Sequence, residues 1–593
     1  MNTILMLQGS ITNILQNWNF FLSLWIIQGA FTVLTMWLLS DTLLDKDVLS
    51  VLSFLGGILG FTLFSLVITI GKIMPSPALG MAITVIALLI LLWQRQQFHS
   101  LMTFNLAGLI IFFLFILLLR LIFIQDLLVP AYSDSVLHLQ IVRDLLNPEQ
   151  TPQAFYRLSS DPRHYYHVGF HSLAAFLSGG TSTSAEQTIL LLGQYFQSLA
   201  IIAVFPLTRI LTKNSLSAWA IMCIAGLILT FPAYASNWGK YPSIASLTGI
   251  IFGLTLFIVY CNNRLVLSKK PYFLIFLAIL SATSLHSRSL FVFLLAIPAI
   301  FLYAKSSAIL EKLEIKGNNT ENKMMIIVLW AIMLHVLVLA LKFPDSEHQY
   351  FPSFLFLVFT IFAFYSNFAL TWMVISFFLS MGLNILIPLP FSFLPVRYSL
   401  LFDRPFLIIF FYLPASFLIW QGIEGVLRLV TKNAFESWRQ RLFTIVFFIC
   451  LSNAIFIQNH QPSDCCVFMD DNDLFSFHWM KNNIPEDALI GIAATGKTGS
   501  LQPADGGAWV ELFTGIPTRK IKLFNDITKH NIGWNIDFAS EGLRLCKEGV
   551  DYFYVDGLQN SFDEYTLIKI GSKYEFGLGN IRIYHLECKD NIP

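Results

Sequence analysis

Asp134 lies in the stretch Ala131-Tyr-Ser-Asp-Ser-Val-Leu-His138, four residues before His138. On a helix that spacing places both side chains on one face. A carboxylate beside an imidazole can serve as a general base or share a divalent cation. The same residues also suit a helix-capping Asp next to a solvated His. A second cluster is Asp161-Pro-Arg-His164-Tyr-Tyr-His167-Val-Gly-Phe-His171. His167 and His171 have the i, i+4 spacing of a helical metal pair. Substrate contact is another use for them, and anchoring a helix at a membrane interface is a third. Cations form the third group: Lys240, then His286 and Arg288 in Thr283-Ser-Leu-His-Ser-Arg288, then Arg397 and Arg404 around Asp403. An Arg fork grips phosphate oxygens in pairs, so such cations suit a phosphate group at a membrane surface. Snorkelling to lipid headgroups, or a local Asp403–Arg404 pair, is the plainer reading.

The elements that position these residues are membrane helices. Of the 593 residues, 56% are hydrophobic and 12% are charged, against about 25% charged in an average soluble domain. A soluble globule has too little interior to hide that much apolar surface, so the chain is an integral membrane protein. About fourteen apolar runs are near the bilayer-spanning length of about 20 residues. With the N-terminus outside, the inner loops collect Lys46, Arg95, Arg209, Lys213, Arg264, Lys305 and Arg428, as the positive-inside rule requires. Residues 1–18 hold no Lys or Arg, which argues against a cleavable signal peptide. An even number of spans leaves both termini outside, with one long polar segment, 126–185, also outside. Within it, 168–178 is too short to span and is expected to be a re-entrant or interfacial helix. No internal repeat of the kind found in many transporters is visible.

Charge divides the chain in two. Residues 1–458 carry a net charge of +8 and 459–593 a net charge of −7, so a multi-spanning domain over 1–458 is followed by an acidic domain over 459–593. The second part reads as a small α/β domain, with strands at Ala488–Ala493, Val550–Val555 and Asn580–Leu586. Helices are expected at Asp471–Asn482, capped by the Asp470 cluster, and near Phe538–Glu548. It holds Cys465, Cys466, Cys546 and Cys588; an outside location permits disulfides, with the pairing open. Cys223, Cys261 and Cys450 read as packing residues. Gly491-Ile-Ala-Ala-Thr-Gly-Lys-Thr498 has P-loop spacing, but Gly-Ser-Leu-Gln-Pro503 after it is a poor helix start, and a P-loop needs a helix N-terminus on its phosphates. Nucleotide binding is set aside. So is the sequon at Asn318, which falls on the inner side.

With these residues in view, the chain resembles the GT-C superfamily of membrane glycosyltransferases. The resemblance rests on Ser133-Asp-Ser-Val-Leu-His138, Gly169-Phe-His171, Trp238-Gly-Lys-Tyr241, Leu285-His-Ser-Arg288 and Ala504-Asp-Gly-Gly-Ala-Trp509, and it covers most of the chain from about residue 100 onward. It implies a mainly α, polytopic fold with a small C-terminal α/β domain outside the cytoplasm. It implies transfer of a sugar from a polyprenyl-phosphate carrier to an acceptor hydroxyl. Asp134 would match the acidic residue of the first loop, as base or metal ligand, with His138 beside it. Arg288 and Arg404 would contact the donor phosphate. Two departures are plain. Ser133 and Ser135 flank Asp134, so the paired Asp-Glu of protein mannosyltransferases is missing, and so is the Trp-Trp-Asp motif of oligosaccharyltransferases.

The expectation is therefore a cell-membrane glycosyltransferase. Its catalytic pair is Asp134 and His138, and its substrate contacts are His167, His171, Lys240, His286, Arg288, Arg397 and Arg404. No cofactor is required by the residues, and a divalent cation, magnesium or manganese, stays open. The partners are a polyprenyl-phosphate-linked sugar, membrane lipid and a glycan, lipid or protein acceptor; nucleic acid is not among them. A flippase of lipid-linked sugars would use the cations without the base. A membrane scaffold would need neither.

Overall fold

The computed structural model describes residues 3–96, 103–147, 167–261, 270–300, 330–336, 353–386, 402–431, 434–458, 460–495, 501–522, 538–557 and 561–588. The chain divides into two compact units. One comprises Met1–Gln125, Val142–Ala235 and Tyr241–His460, the other Asp126–Ile141, Ser236–Lys240 and Gln461–Pro593. The second unit thus gathers two short segments from the first half of the chain beside the C-terminal part that charge had marked.

The first unit is helical. Among the described residues, seven helices are long and apolar enough to cross a membrane: Trp18–Leu39, Lys46–Ile70, Asn105–Ile124, Ala185–Thr212, Tyr241–Cys261, Arg404–Thr431 and Phe435–Ile457. The chain is a multi-pass membrane protein. Several other apolar runs form shorter helices, among them Pro77–Trp93, Ser215–Leu227, Lys270–Leu285 and Ser289–Ile300. Hydropathy counts apolar residues, whereas helix length depends on where capping residues and prolines start and stop the backbone ladder. At Pro77–Trp93 the Ser76 hydroxyl accepts from the Leu79 amide at 3.3 Å, and Pro77 opens the first turn, where a missing N–H costs nothing. Helices Trp18–Leu39 and Lys46–Ile70 pack closely through small residues. A Cβ on Gly57 would fall 2.4 Å from Thr32 Oγ1.

Gly169–Thr181 is a helix, and every residue from Gly169 to Ser178 is buried. An interfacial helix leaves one face to headgroups and water, so that form of the expectation gives way to a helix enclosed by its neighbours.

In the second unit, a mixed sheet is built from β1 (Ile490–Thr495), β2 (Gln502–Pro503), β3 (Thr518–Lys522), β4 (Tyr552–Asp556), β5 (Ser572–Leu578) and β6 (Ile581–Leu586). β1 runs parallel to both β3 and β4, and β6 runs antiparallel to β4 and β5. Ala493, Leu545, Val550, Phe553, Leu567 and Tyr584 share its core. Three of these strands match the sequence expectation to within two residues at either end. β3 and β5 did not announce themselves, because Thr-Arg-Lys-Ile-Lys and the largely exposed Ser572–Leu578 lack a clean apolar alternation. Helix Asp471–Asn483 opens with a capping box. The Asp470 side chain accepts from the Asn472 and Asp473 amides, and the Asp473 side chain accepts from the Asp470 amide. Gly491 lies inside β1, with Ile521 and Phe553 side chains within 3 Å of where a Cβ would sit. The P-loop spacing therefore begins in a strand packed on both sides. Disulfides join Cys465 to Cys466 and Cys546 to Cys588, and Cys223, Cys261 and Cys450 are free thiols.

Candidate functional site

Asp134 opens the helix Asp134–Leu146. Its approach is set by Tyr132, which adopts a left-handed backbone at φ 69°. Tyr132 O accepts from the Ser135 amide at 3.1 Å, and Ser133 O accepts from the Val136 amide at 3.2 Å, which starts the first turn. Lys240 reaches the same place from a second segment and forms an ion pair with Asp134 Oδ2. Gly239 makes this approach workable. Its φ is +63°, and a Cβ there would stand 2.4 Å from Ser135 Oγ and 3.1 Å from Ala131 O. Only glycine takes that conformation cheaply in that little space.

The pair is about one-third exposed, with side-chain accessibilities of 35% for Asp134 and 29% for Lys240. A part-exposed ion pair contributes only about 0–1 kcal/mol to stability, so folding alone does not account for its elaborate seating. His138 does share the helix with Asp134, but it is buried. Burial, reinforced by the Lys240 charge, pulls its pKa down to about 3 against a hydrogen bond to the Gly239 backbone, so the imidazole is neutral at physiological pH. Burial, then the Asp134 charge, pushes the Tyr132 hydroxyl up.

In the first unit, the His167 and His286 rings lie 4.3 Å apart, and His286 stacks on Phe406 at 5.2 Å. His167 precedes the helix Gly169–Thr181, so its i, i+4 spacing to His171 is not a helical one; the His171 ring meets Phe170 edge-on. Arg288 Nη1 pairs with Asp403 Oδ2 at 2.7 Å. Asp403 Oδ1 also accepts from the Phe406 amide at 2.9 Å, capping the helix Arg404–Phe410. Asp403 is thus partnered by Arg288 from a distant segment, and not simply by its neighbour Arg404, which is exposed. Arg397 and His164 lie outside the described residues. Among the described residues, no group of three or more His, Cys, Asp or Glu side chains is placed to hold a metal ion.

Sequence reasoning missed Tyr132, Asn237, Gly239 and the tail residues that hold them. Asn237 Oδ1 accepts from the Ser463 amide at 2.7 Å, and Cys466 O accepts from the Tyr132 amide at 2.9 Å. A glycine immediately before a lysine was the only local signal.

Residues 48–356 match a Family of unknown function (DUF6541). The chain belongs to that family. No curated protein matches it. Among solved structures, the chain is similar to the arabinofuranosyltransferase AftD from Mycobacteria, with 12% identity and a TM-score of 0.36, over 82% of this chain and 40% of that one. The chain thus spans less than half the length of that enzyme.

Proposed function

We propose that this member of the family is a membrane glycosyltransferase, taking a sugar from a polyprenyl-phosphate carrier and passing it to an acceptor hydroxyl outside the cytoplasm. The observation that carries the reading is the Asp134–Lys240 pair: a part-exposed carboxylate and ammonium, seated by Tyr132 and Gly239 beside a buried, neutral imidazole. Lys240 engages Oδ2, and Oδ1 is the oxygen that would take the acceptor proton as the hydroxyl attacks the anomeric carbon. The bond from that carbon to the phosphate oxygen breaks, and the phosphate leaves with the electron pair. A fixed ammonium helps most where such charge develops, and Lys240 is the cation seated with the base. The resemblance gives Arg288 and Arg404 the donor phosphate as well, while His167, His171 and His286 are offered for substrate contact by their residue type and position alone.

Two disulfides in the C-terminal part support its placement outside the cytoplasm, since such bonds persist in oxidising compartments. The test is transfer by purified protein from a panel of polyprenyl-phosphate-linked hexoses and pentoses to a membrane glycan fraction. Transfer that collapses in Asp134→Asn supports the reading. A variant that transfers at the wild-type rate removes Asp134 as base, and unchanged flipping of labelled donor without transfer would favour a flippase.

A further inference from the structure

The Cys465–Cys466 disulfide joins neighbours in sequence, and the turn that contains it holds both arms of the Asp134–Lys240 pair. The turn is a single 3-10 turn, Asp464–Cys466, closed by the Cys466 amide donating to Ser463 O at 2.9 Å. At one end, the Ser463 amide donates to Asn237 Oδ1, three residues before Lys240. At the other, Cys466 O accepts from the Tyr132 amide, two residues before Asp134. Two residues further on, the Phe468 ring packs against the Tyr132 ring at 5.6 Å. Only Asp464 and Cys465 thus separate Ser463, the tether of the lysine arm, from Cys466, the tether of the carboxylate arm.

A disulfide between adjacent residues closes an eight-membered ring through their shared peptide and removes most of the freedom of both. Opening it returns that freedom to the one turn that spaces the two tethers. The bond is also reachable. Cys466 is buried, but Cys465 is exposed, and exchange requires a thiolate to reach only one sulfur.

The geometry points to a redox latch: the oxidised Cys465–Cys466 pair holds Asp134 and Lys240 in register, and a thiol reductant releases them. A dithiol attacks Cys465 Sγ, Cys466 leaves as thiolate and takes a proton, and the resulting mixed disulfide resolves to free Cys465 and the cyclic disulfide of the reductant. Two electrons pass from the dithiol to the protein, and an oxidant of the disulfide class reverses the step. The consequence for activity rests on the transferase reading; the structural part does not.

The experiment follows full-length protein in detergent through graded ratios of reduced to oxidised dithiothreitol. Trapping with a maleimide and mass mapping report each cysteine pair, and hydrogen exchange reports peptides 131–138 and 461–468. The expected result is that Cys465–Cys466 opens within this series, and that the Tyr132 and Ser463 amides then exchange about tenfold faster or more, whatever the state of Cys546–Cys588. Cys466→Ser should show the fast exchange with no reductant present. Alkylation of Cys465 and Cys466 in protein that was never reduced would overturn the latch, as would equal exchange before and after the pair opens. Transfer, where assayed, should fall about tenfold on reduction and recover on reoxidation. Were Asp134→Asn to transfer normally, the base would be lost while the exchange result stood on its own.

Discussion

Lys240 pairs with Asp134 across a sequence separation of 106, and the two meet because Tyr132 and Gly239 both adopt left-handed backbone beside them. Neither residue gains much stability from the contact. The arrangement instead holds a carboxylate and an ammonium in fixed relation at a part-exposed position. Replacing Asp134 with Asn should lower transfer by about 10²–10⁴-fold, the usual contribution of a general base, or about 3–5 kcal/mol of barrier. Initial rates with saturating acceptor would show it, with thermal unfolding unchanged to within about 1 kcal/mol.

Gly239→Ala tests the seating separately from the chemistry. The added Cβ meets Ser135 Oγ at 2.4 Å on a backbone with φ +63°, so Lys240 must move away from Asp134. We expect a loss of about 1–3 kcal/mol in stability, and transfer reduced more than that loss of folded protein explains. Rates normalised to the folded fraction separate the two effects.

Asp403 does two jobs, capping the helix Arg404–Phe410 and pairing with Arg288. Asp403→Asn keeps a cap acceptor but loses the charge, whereas Asp403→Ala loses both and should cost about 1 kcal/mol more. Arg288→Met should raise the KM for the polyprenyl-phosphate donor by about 10–100-fold, the value of a charge-assisted hydrogen bond. Equal KM values in mutant and wild type would take Arg288 out of donor binding.

The C-terminal part carries buried carboxyls whose protonation follows pH. Burial pushes Asp473 up to about 7 and Asp505 up to about 8, against hydrogen bonds from Tyr554 and from the Asp470 and Gly507 amides. The unfolded groups titrate near 3.9. The folded state therefore binds these protons more tightly, so its stability is greatest below about pH 4 on this account and is lost as pH rises toward 8. Hydrogen exchange in β1 and β4 at pH 5.5 and 8.5 should show slower opening at the lower pH. Asp505→Asn should flatten that difference.

The Cys546–Cys588 bond closes a loop with a sequence separation of 42. Chain-entropy reasoning gives it about 4 kcal/mol, so Cys546→Ser should lower the unfolding temperature of the C-terminal sheet measurably. Limited proteolysis across 538–557, compared with wild type, reports it directly.

Sequence alone determined the membrane body, the acidic C-terminal part and the identity of Asp134 and Lys240 as groups capable of chemistry. Composition and charge act locally and additively, so they can be read without knowing what touches what. The capping box at Asp470 and the strand β4 were legible for the same reason, being written in residues close along the chain. The partners were not. That Lys240 goes to Asp134, Asp403 to Arg288, and Asn237 and Tyr132 to the turn at Ser463–Cys466 depends on segments brought together from over a hundred residues apart. Such meetings are set by how helices and strands pack and by which backbone conformations Gly239 and Tyr132 permit. His138 shows the difference most clearly: its spacing to Asp134 suggested a second proton-handling group, but burial, a property of the folded neighbourhood and not of the spacing, keeps it neutral.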